Sequence, residues 1–270
     1  MIDKIGKINK MIGFESRQLY KTLDSGEKKI YSIADEFLEN YCNFQGFSAI
    51  QASKAIEKFI LKYKKDMDNF IKTNKFPFEL ENDIFNLTRE EYDLFLISSV
   101  LFTKHRFSII KNISELGLTE KKIALIGVGS GLELAFLDNK KNEINAFDLS
   151  LSQYAKDSFD HVDLHEEPFD SSQKYDTIFG IELIEHISEP YRLIENIYSS
   201  LKENGIFIVT TIKNVPQFDH LYNFTNEKEF ELNVKSIGFS LIEKKVIPHE
   251  YRFINLDVNN VMYILGKNND

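Results

Sequence analysis

The chain has 270 residues, 43% of them hydrophobic and 28% charged, and a formal net charge of −9. That length supports one large core, or one core with a smaller unit attached. A single cysteine, Cys42, excludes an internal disulfide framework and a cysteine-based metal site. The opening residues show no apolar stretch of the secretory-leader kind, and no apolar run approaches the ~18 residues of a membrane span. A cytoplasmic protein with no membrane partner is expected.

Charge is unevenly placed. Residues 1–117 hold 18 Lys and Arg against 17 Asp and Glu, a balance of +1; residues 118–270 hold 15 against 25, a balance of −10. Proteins that grip nucleic acid present a basic face, so the balance favours a small-molecule substrate and no nucleic acid.

In chain order, residues 1–117 read as helices. Ile30, Ile33, Ala34, Phe37 and Tyr41 recur at helical spacing, as do Ile50, Ala55, Ile56, Phe59, Ile60 and Tyr63. Thr88-x-x-Glu91 is a capping-box signature that opens a third helix, expected to continue through "YDLFLISSVLFTKHRFSII". The pattern breaks around Pro77, which predicts a linker in "NKFPFELEN".

From Lys121 the pattern changes to short apolar runs separated by helical segments: "KIALIGV", "NEINAFDLS", "YDTIFGIE" and "GIFIVTT", with helices predicted over Leu132–Leu137, Tyr154–Phe159 and Pro190–Leu201. Alternation of this kind makes βαβ units and a mostly parallel sheet. "FSLIEKKVI" and "NVMYILGK" have no helix between them and predict an antiparallel pair at one edge.

Gly127, Gly129 and Gly131 fall where the first strand turns toward the first helix. Glycine tolerates positive φ and lets a ligand approach the main chain. A helix start adds unpaired N–H groups, which suits a nucleotide or a carboxylate. The dinucleotide fingerprint is G-x-G-x-x-G; here the third glycine comes one residue early, which disfavours an NAD-linked oxidoreductase.

The G-x-G-x-G turn resembles motif I of the class I S-adenosylmethionine (SAM)-dependent methyltransferases. Four later segments support the resemblance. They are "INAFDLS", "HVDLHEEPFDSSQKYDTIFGIELIEHI", "LKENGIFIVTT" and "HLYNFTNEKEFELNVKSIGFSLIEKKVI", and with motif I they cover roughly Glu120 to Lys267. The resemblance implies a Rossmann-like seven-stranded sheet, mostly parallel with an antiparallel edge. A helical N-terminal cap (1–117) precedes this SAM-binding domain (118–270). It implies SAM as cofactor and S-adenosylhomocysteine as product. Gly127, Gly129, Ser130 and Gly131 would form the turn against the cofactor. Asp148 would hold the ribose with Leu149 beside it, Asp163 and Leu164 would meet the adenine, and Gly180 would lie alongside. In one departure, Leu125 stands where the family usually carries an acid that orients the turn and helps place the methionine ammonium.

Arg106, just before the first strand, matches the basic residue that reaches the SAM carboxylate in such proteins, and His105 beside it is a candidate substrate contact. Glu182, Glu185 and His186 share a face if their turn is helical. His186 matches a histidine near the acceptor in similar quinone-pathway O-methyltransferases, so His186 and Glu182 are the candidate catalytic residues. His220 and Tyr222 fall on the loop after "GIFIVTT" and are candidate substrate contacts. Glu182, Glu185, His186 and His220 also resemble the metal-ligand set of small-RNA 3′-end methyltransferases, but the acidic balance disfavours RNA and no metal is expected. The function implied is methyl transfer to oxygen, nitrogen or carbon of a small, biosynthetic acceptor, in a possible homodimer. Its rivals are SAM chemistry without methyl transfer and a non-catalytic SAM-binding subunit.

Overall fold

The computed structural model describes residues 1–75, 87–169, 172–215, 217, 219–249 and 258–267. Its helices are α1 (Ile2–Ile8), α2 (Lys10–Thr22), α3 (Ser25–Gln45), α4 (Ala49–Thr73), α5 (Arg89–Ser99) and α6 (Lys104–Glu115). Three of them start at capping boxes: Asp24 with Glu27, Ser48 with Gln51, and Thr88 with Glu91. In each, two otherwise orphaned N–H groups are satisfied reciprocally by side chains, which fixes the helix start locally. α4 closes on Asn74 in the left-handed region at φ 50°. Pro77 and the rest of the expected linker beyond Lys75 lie outside the described residues.

The third expected helix is two. The hydroxyls of Ser98 and Ser99 donate to the carbonyls of Phe95 and Leu96 at 3.1 and 2.7 Å. Such back-bonding competes with helix propagation. The chain turns through Leu101 and Phe102, and Thr103, extended at φ −121°, restarts it as α6.

The second part supplies β1 (Lys122–Ile126), β2 (Glu143–Asp148), β3 (Val162–Glu166), β4 (Tyr175–Ile181), β5 (Leu201–Lys213), β6 (Phe239–Pro248) and β7 (Asn259–Lys267). They form one seven-stranded sheet in the order β3-β2-β1-β4-β5-β7-β6. The first five strands are parallel; β7 runs antiparallel between β5 and β6. The Rossmann-like sheet with its antiparallel edge is therefore as expected. α7 (Gln153–Ser158), α8 (Pro190–Ser200) and α9 (Glu227–Ile237) are its helices. The helix expected over Leu132–Leu137 is only a 3₁₀ turn, Glu133–Phe136. Gly131, at φ 84°, leaves space for a single turn before Leu137 becomes extended.

One buried cluster runs from Ile2 in α1 to Met262 in β7, across the expected boundary at residue 117. The join between helices and sheet is aromatic. Phe37, Tyr41 and Phe44 of α3 surround Tyr154 of α7 with ring centroids 5.3, 5.2 and 5.4 Å away, all edge-on. Each such pair contributes about 0.5–1.5 kcal/mol beyond its buried area. The helices are thereby held over the carboxyl ends of β1, β2, β4 and β5, where open α/β sheets place their ligands.

Candidate functional site

The three glycines of the turn do different work. All have positive φ: 77° at Gly127, 54° at Gly129 and 84° at Gly131. A Cβ on Gly127 would lie 2.9 Å from Leu183 Cδ1, and one on Gly131 2.7 Å from Phe159 Cε2. Those two are crowded by the protein itself. A Cβ on Gly129 would meet nothing within 4 Å, so Gly129 borders open space. Its N–H donates to Asp148 Oδ2 at 2.8 Å, and Ser150 N–H donates to Asp148 Oδ1 at 2.9 Å. The carboxylate at the tip of β2 thus fixes the glycine turn as well as its own loop. Ser130 is buried and Leu149 is 75% exposed beside Asp148.

Three expected adenosine-side residues fall elsewhere. Asp163 and Leu164 sit in the first half of β3, paired with Asn145 and Ala146. Glu166, not Asp163, is the β3 residue opposite Asp148. At about 3.3 Å per residue, Asp163 is roughly 10 Å short of the strand tip. The acidic position at that tip belongs to Glu166 and Glu167. The strand begins one residue before Asp163, and sequence alone did not show where it began. The space over Gly180 is filled by Phe207 and Leu183 at 3.3–3.6 Å, so this glycine serves packing.

Beyond the tips of β4 and β5 lies a cluster of ionisable groups. Glu182 adopts φ 49°, a left-handed conformation that costs a non-glycine residue about 1–3 kcal/mol and collects at functional sites. Its N–H donates to Thr210 Oγ1 at 2.9 Å, Thr210 Oγ1 donates to Glu182 Oε1 at 2.8 Å, and Asn260 Nδ2 donates to Oε2 at 2.7 Å. Ile184–His186 form a 3₁₀ turn, so Glu185 and His186 leave it in different directions from those of a full helix. Glu185 is 1% exposed and accepts from Thr211 Oγ1 at 3.1 Å. Burial, then the Glu182 charge, pushes its carboxyl well above the ordinary range.

His186 Nδ1 lies 3.0 Å from the Asp219 carbonyl, and buried His220 Nδ1 lies 2.6 Å from the Val215 carbonyl. A carbonyl only accepts, so both imidazoles carry their proton on Nδ1 and keep a lone pair on Nε2. Burial lowers the His220 pKa to about 4. The rings meet edge-on with centroids 4.9 Å apart. Ligand atoms of Glu185, His186 and His220 all lie within 4.8 Å of one another, a spacing that would admit a divalent cation. Tyr222 hydrogen-bonds Tyr191 through the hydroxyls at 3.2 Å, and its N–H donates to the Glu185 carbonyl at 2.9 Å.

The helical cap completes the site. Tyr92 of α5 donates its hydroxyl to Asp219 Oδ2 at 2.7 Å. Arg106 of α6 is 3.9 Å from Glu182 Oε2, and its buried Nε has no hydrogen-bond partner among the described residues. His105 is buried and stacks on His249, with centroids 3.6 Å apart and planes 20° from parallel. His249 Nε2 donates to Asn260 Oδ1, which joins α6, β6, β7 and Glu182 in one chain of contacts. Glu133, in the 3₁₀ turn after the glycines, is half-buried, and burial raises its carboxyl above the ordinary range. Tyr92, Glu133, Asp219, His249 and Asn260 were not identified from sequence. A local signal nearby is Thr210–Thr211, a buried polar pair that directly follows the buried apolar run 207–209 of β5.

The profile described as "Methyltransferase domain" matches residues 102–244, more than half of the chain. The chain belongs to this methyltransferase family. That family is the class I SAM-dependent methyltransferases. A ubiquinone biosynthesis O-methyltransferase of Histophilus somni is 27% identical over 111 residues, 36% of this chain and 47% of that protein. One of Rickettsia canadensis is 24% identical over 181 residues, covering 54% and 77%. The match thus spans about half the length of the first relative. The structure of Burkholderia thailandensis 1,6-didemethyltoxoflavin-N1-methyltransferase, solved with S-adenosylhomocysteine, aligns with TM-score 0.51 at 15% identity, over 72% of this chain and 94% of that one. The cyclase SpnF aligns with TM-score 0.50 at 14% identity, over 61% and 82%. Both likenesses are of fold. The open space over Gly129, the carboxylate of Asp148 and the unpartnered Nε of Arg106 fit the family's cofactor SAM. Among the described residues no helix is long and apolar enough to cross a membrane.

Proposed function

We propose that this chain methylates an oxygen of a small, hydroxyl-bearing biosynthetic acceptor, with His186 as the general base. SAM supplies the activated methyl group. The residues supply position, which in a direct displacement is worth several orders of magnitude in rate. One observation carries the choice of oxygen: the His186 Nδ1–H is committed to the Asp219 carbonyl, so Nε2 offers its lone pair to an acceptor proton. At 30% side-chain exposure His186 is reachable, whereas His220 is buried. Tyr92 holds the Asp219 carboxylate, whose Oδ2 lies 3.7 Å from His186 Nδ1 and would support the imidazolium once formed. The kinship with ubiquinone O-methyltransferases agrees with an oxygen acceptor.

The test is turnover of the isolated chain with SAM and a panel of catechols, phenols and enols, read by mass spectrometry. A methyl ether with one S-adenosylhomocysteine per turnover is the expected result. A product built from SAM itself, or no turnover across the panel, would sink the reading. A second reading rests on the proximity of Glu185, His186 and His220: these three hold a divalent cation that binds the acceptor oxygen. EDTA treatment followed by metal add-back decides between them. Full activity without metal favours the base; loss restored by Mg²⁺ or Mn²⁺ favours the cation.

A further inference from the structure

Leu125 stands in β1 where an acid would orient the glycine turn, and it is apolar and buried. The turn is held instead by Asp148, whose Oδ2 accepts from the Gly129 N–H while Oδ1 accepts from the Ser150 N–H. An ionised carboxylate has about four acceptor positions, so these two bonds set its plane and leave about two for the hydroxyls of a ribose. One side chain therefore serves the turn, its own loop and the ligand. Its aim depends on how firmly that loop is fixed.

The loop is fixed from the cap. Arg89 of α5 donates from Nη2 to the Ser150 carbonyl at 2.9 Å. Its Nε is shared between both oxygens of Asp93, one helical turn on, at 3.1 and 3.2 Å. Asp93 is buried, so it seats the guanidinium from inside the protein, where a paired charge is costly to disturb. With its N–H on Asp148 and its C=O on Arg89, the exposed Ser150 is held through both main-chain groups. Arg89 is also the first residue of α5, where the helix dipole disfavours a cation. Glu90 and Glu91, next in the same turn, follow the dipole's preference. A residue set against its local preference points to a tertiary task.

We propose that Arg89 is a positioning residue for the cofactor: anchored on Asp93, it fixes the loop after β2 and so aims the Asp148 carboxylate at the ribose. It acts through Ser150 and Asp148, not by contact with the ligand. The inference rests on Asp148 as the ribose acid and is independent of the acceptor.

Calorimetric titration of the full chain tests it with two probes, S-adenosylhomocysteine and its analogue lacking both ribose hydroxyls. The wild-type protein should prefer S-adenosylhomocysteine about ten- to hundredfold, the span of a charged hydrogen bond. Removing Arg89 alone would strand a buried carboxylate, so the decisive variant is the double substitution Arg89→Met with Asp93→Leu, which removes both charges together. It should cut the preference about three- to tenfold, the worth of one ordinary hydrogen bond, and bind the analogue within about twofold of wild type. Arg89→Lys keeps a cation beside Asp93 but lacks the fork that reaches two partners, and it should fall between. Unchanged preference in the double variant overturns the positioning role. So does equal weakening of both probes, which marks a structural contact alone. Asp148→Ala controls the underlying reading: it should erase the preference, and a preference that survives it takes the ribose from Asp148 and the positioning role from Arg89 together.

Discussion

The two ends of the cleft are built on different principles. Around β1 and β2 the polar groups are main-chain N–H groups and one carboxylate, Asp148, and space is left open over Gly129. Around β4, β5 and β7 the polar groups are side chains interlocked with each other: Glu182 with Thr210 and Asn260, Asn260 with His249, His249 on His105. The first region leaves open space beside main-chain N–H groups, a setting that suits a ligand shared by the whole family. The second is a preorganised polar network, in which every member constrains the next. Cofactor binding should therefore respond to changes in the glycine turn and in Asp148, and catalysis to changes in the side-chain network.

His186 is the sharpest way to break that division. His186→Gln should lower kcat by about 10²–10⁴, the usual worth of general-base catalysis, while S-adenosylhomocysteine binds within about twofold of wild type. Equal loss in both would merge the two regions. The network should next show itself in acid. Burial lowers the His249 pKa from 6.5 to about 4. A depressed histidine contributes stability that is complete above the unfolded value of 6.5 and lost as pH falls toward 4, because the unfolded chain then binds the extra proton. Over that window His249 accounts for about 3 kcal/mol. Urea unfolding at pH 7 and pH 4.5 should show a smaller loss in His249→Gln than in wild type. A parallel pair of curves would remove His249 from the network.

On the cofactor side, Asp148→Ala should weaken SAM about ten- to hundredfold by calorimetry, since the carboxylate proposed to hold the ribose also holds Gly129. Undiminished affinity would take the ribose role from Asp148. The smallest expected effect separates the glycines. Gly131→Ala should lower the melting temperature by clashing with Phe159, at about 1–3 kcal/mol. Gly129→Ala carries the strain of a positive φ but no clash, so it should lose less in melting than Gly131→Ala and lose cofactor affinity; equal melting losses would contradict the distinction.

The same contrast explains what the sequence could tell. Glycines at positive φ, an acid at a strand tip and three capping boxes are local features that leave a written spacing. The β4–β5–β7 network is not local. Asn260 reaches Glu182 across 78 positions, and Tyr92 reaches Asp219 across 127. No spacing records such meetings. Asp163 shows an intermediate case: the acidic residue was visible, but the starting residue of β3 was not, and a few residues along a strand are enough to remove a side chain from the site. The split between α5 and α6 depended on how two serine hydroxyls bond, which apolar periodicity does not report.

The clamp of Phe37, Tyr41 and Phe44 around Tyr154 has a practical consequence. Gly117, at φ 58°, lies in the connection between α6 and β1. A chain severed there would leave two fragments, each exposing the apolar surface that the other covers. Fragments of that kind recognise each other, so the protein should reassemble from two separately encoded halves, with α3 as the socket and Tyr154 as the plug.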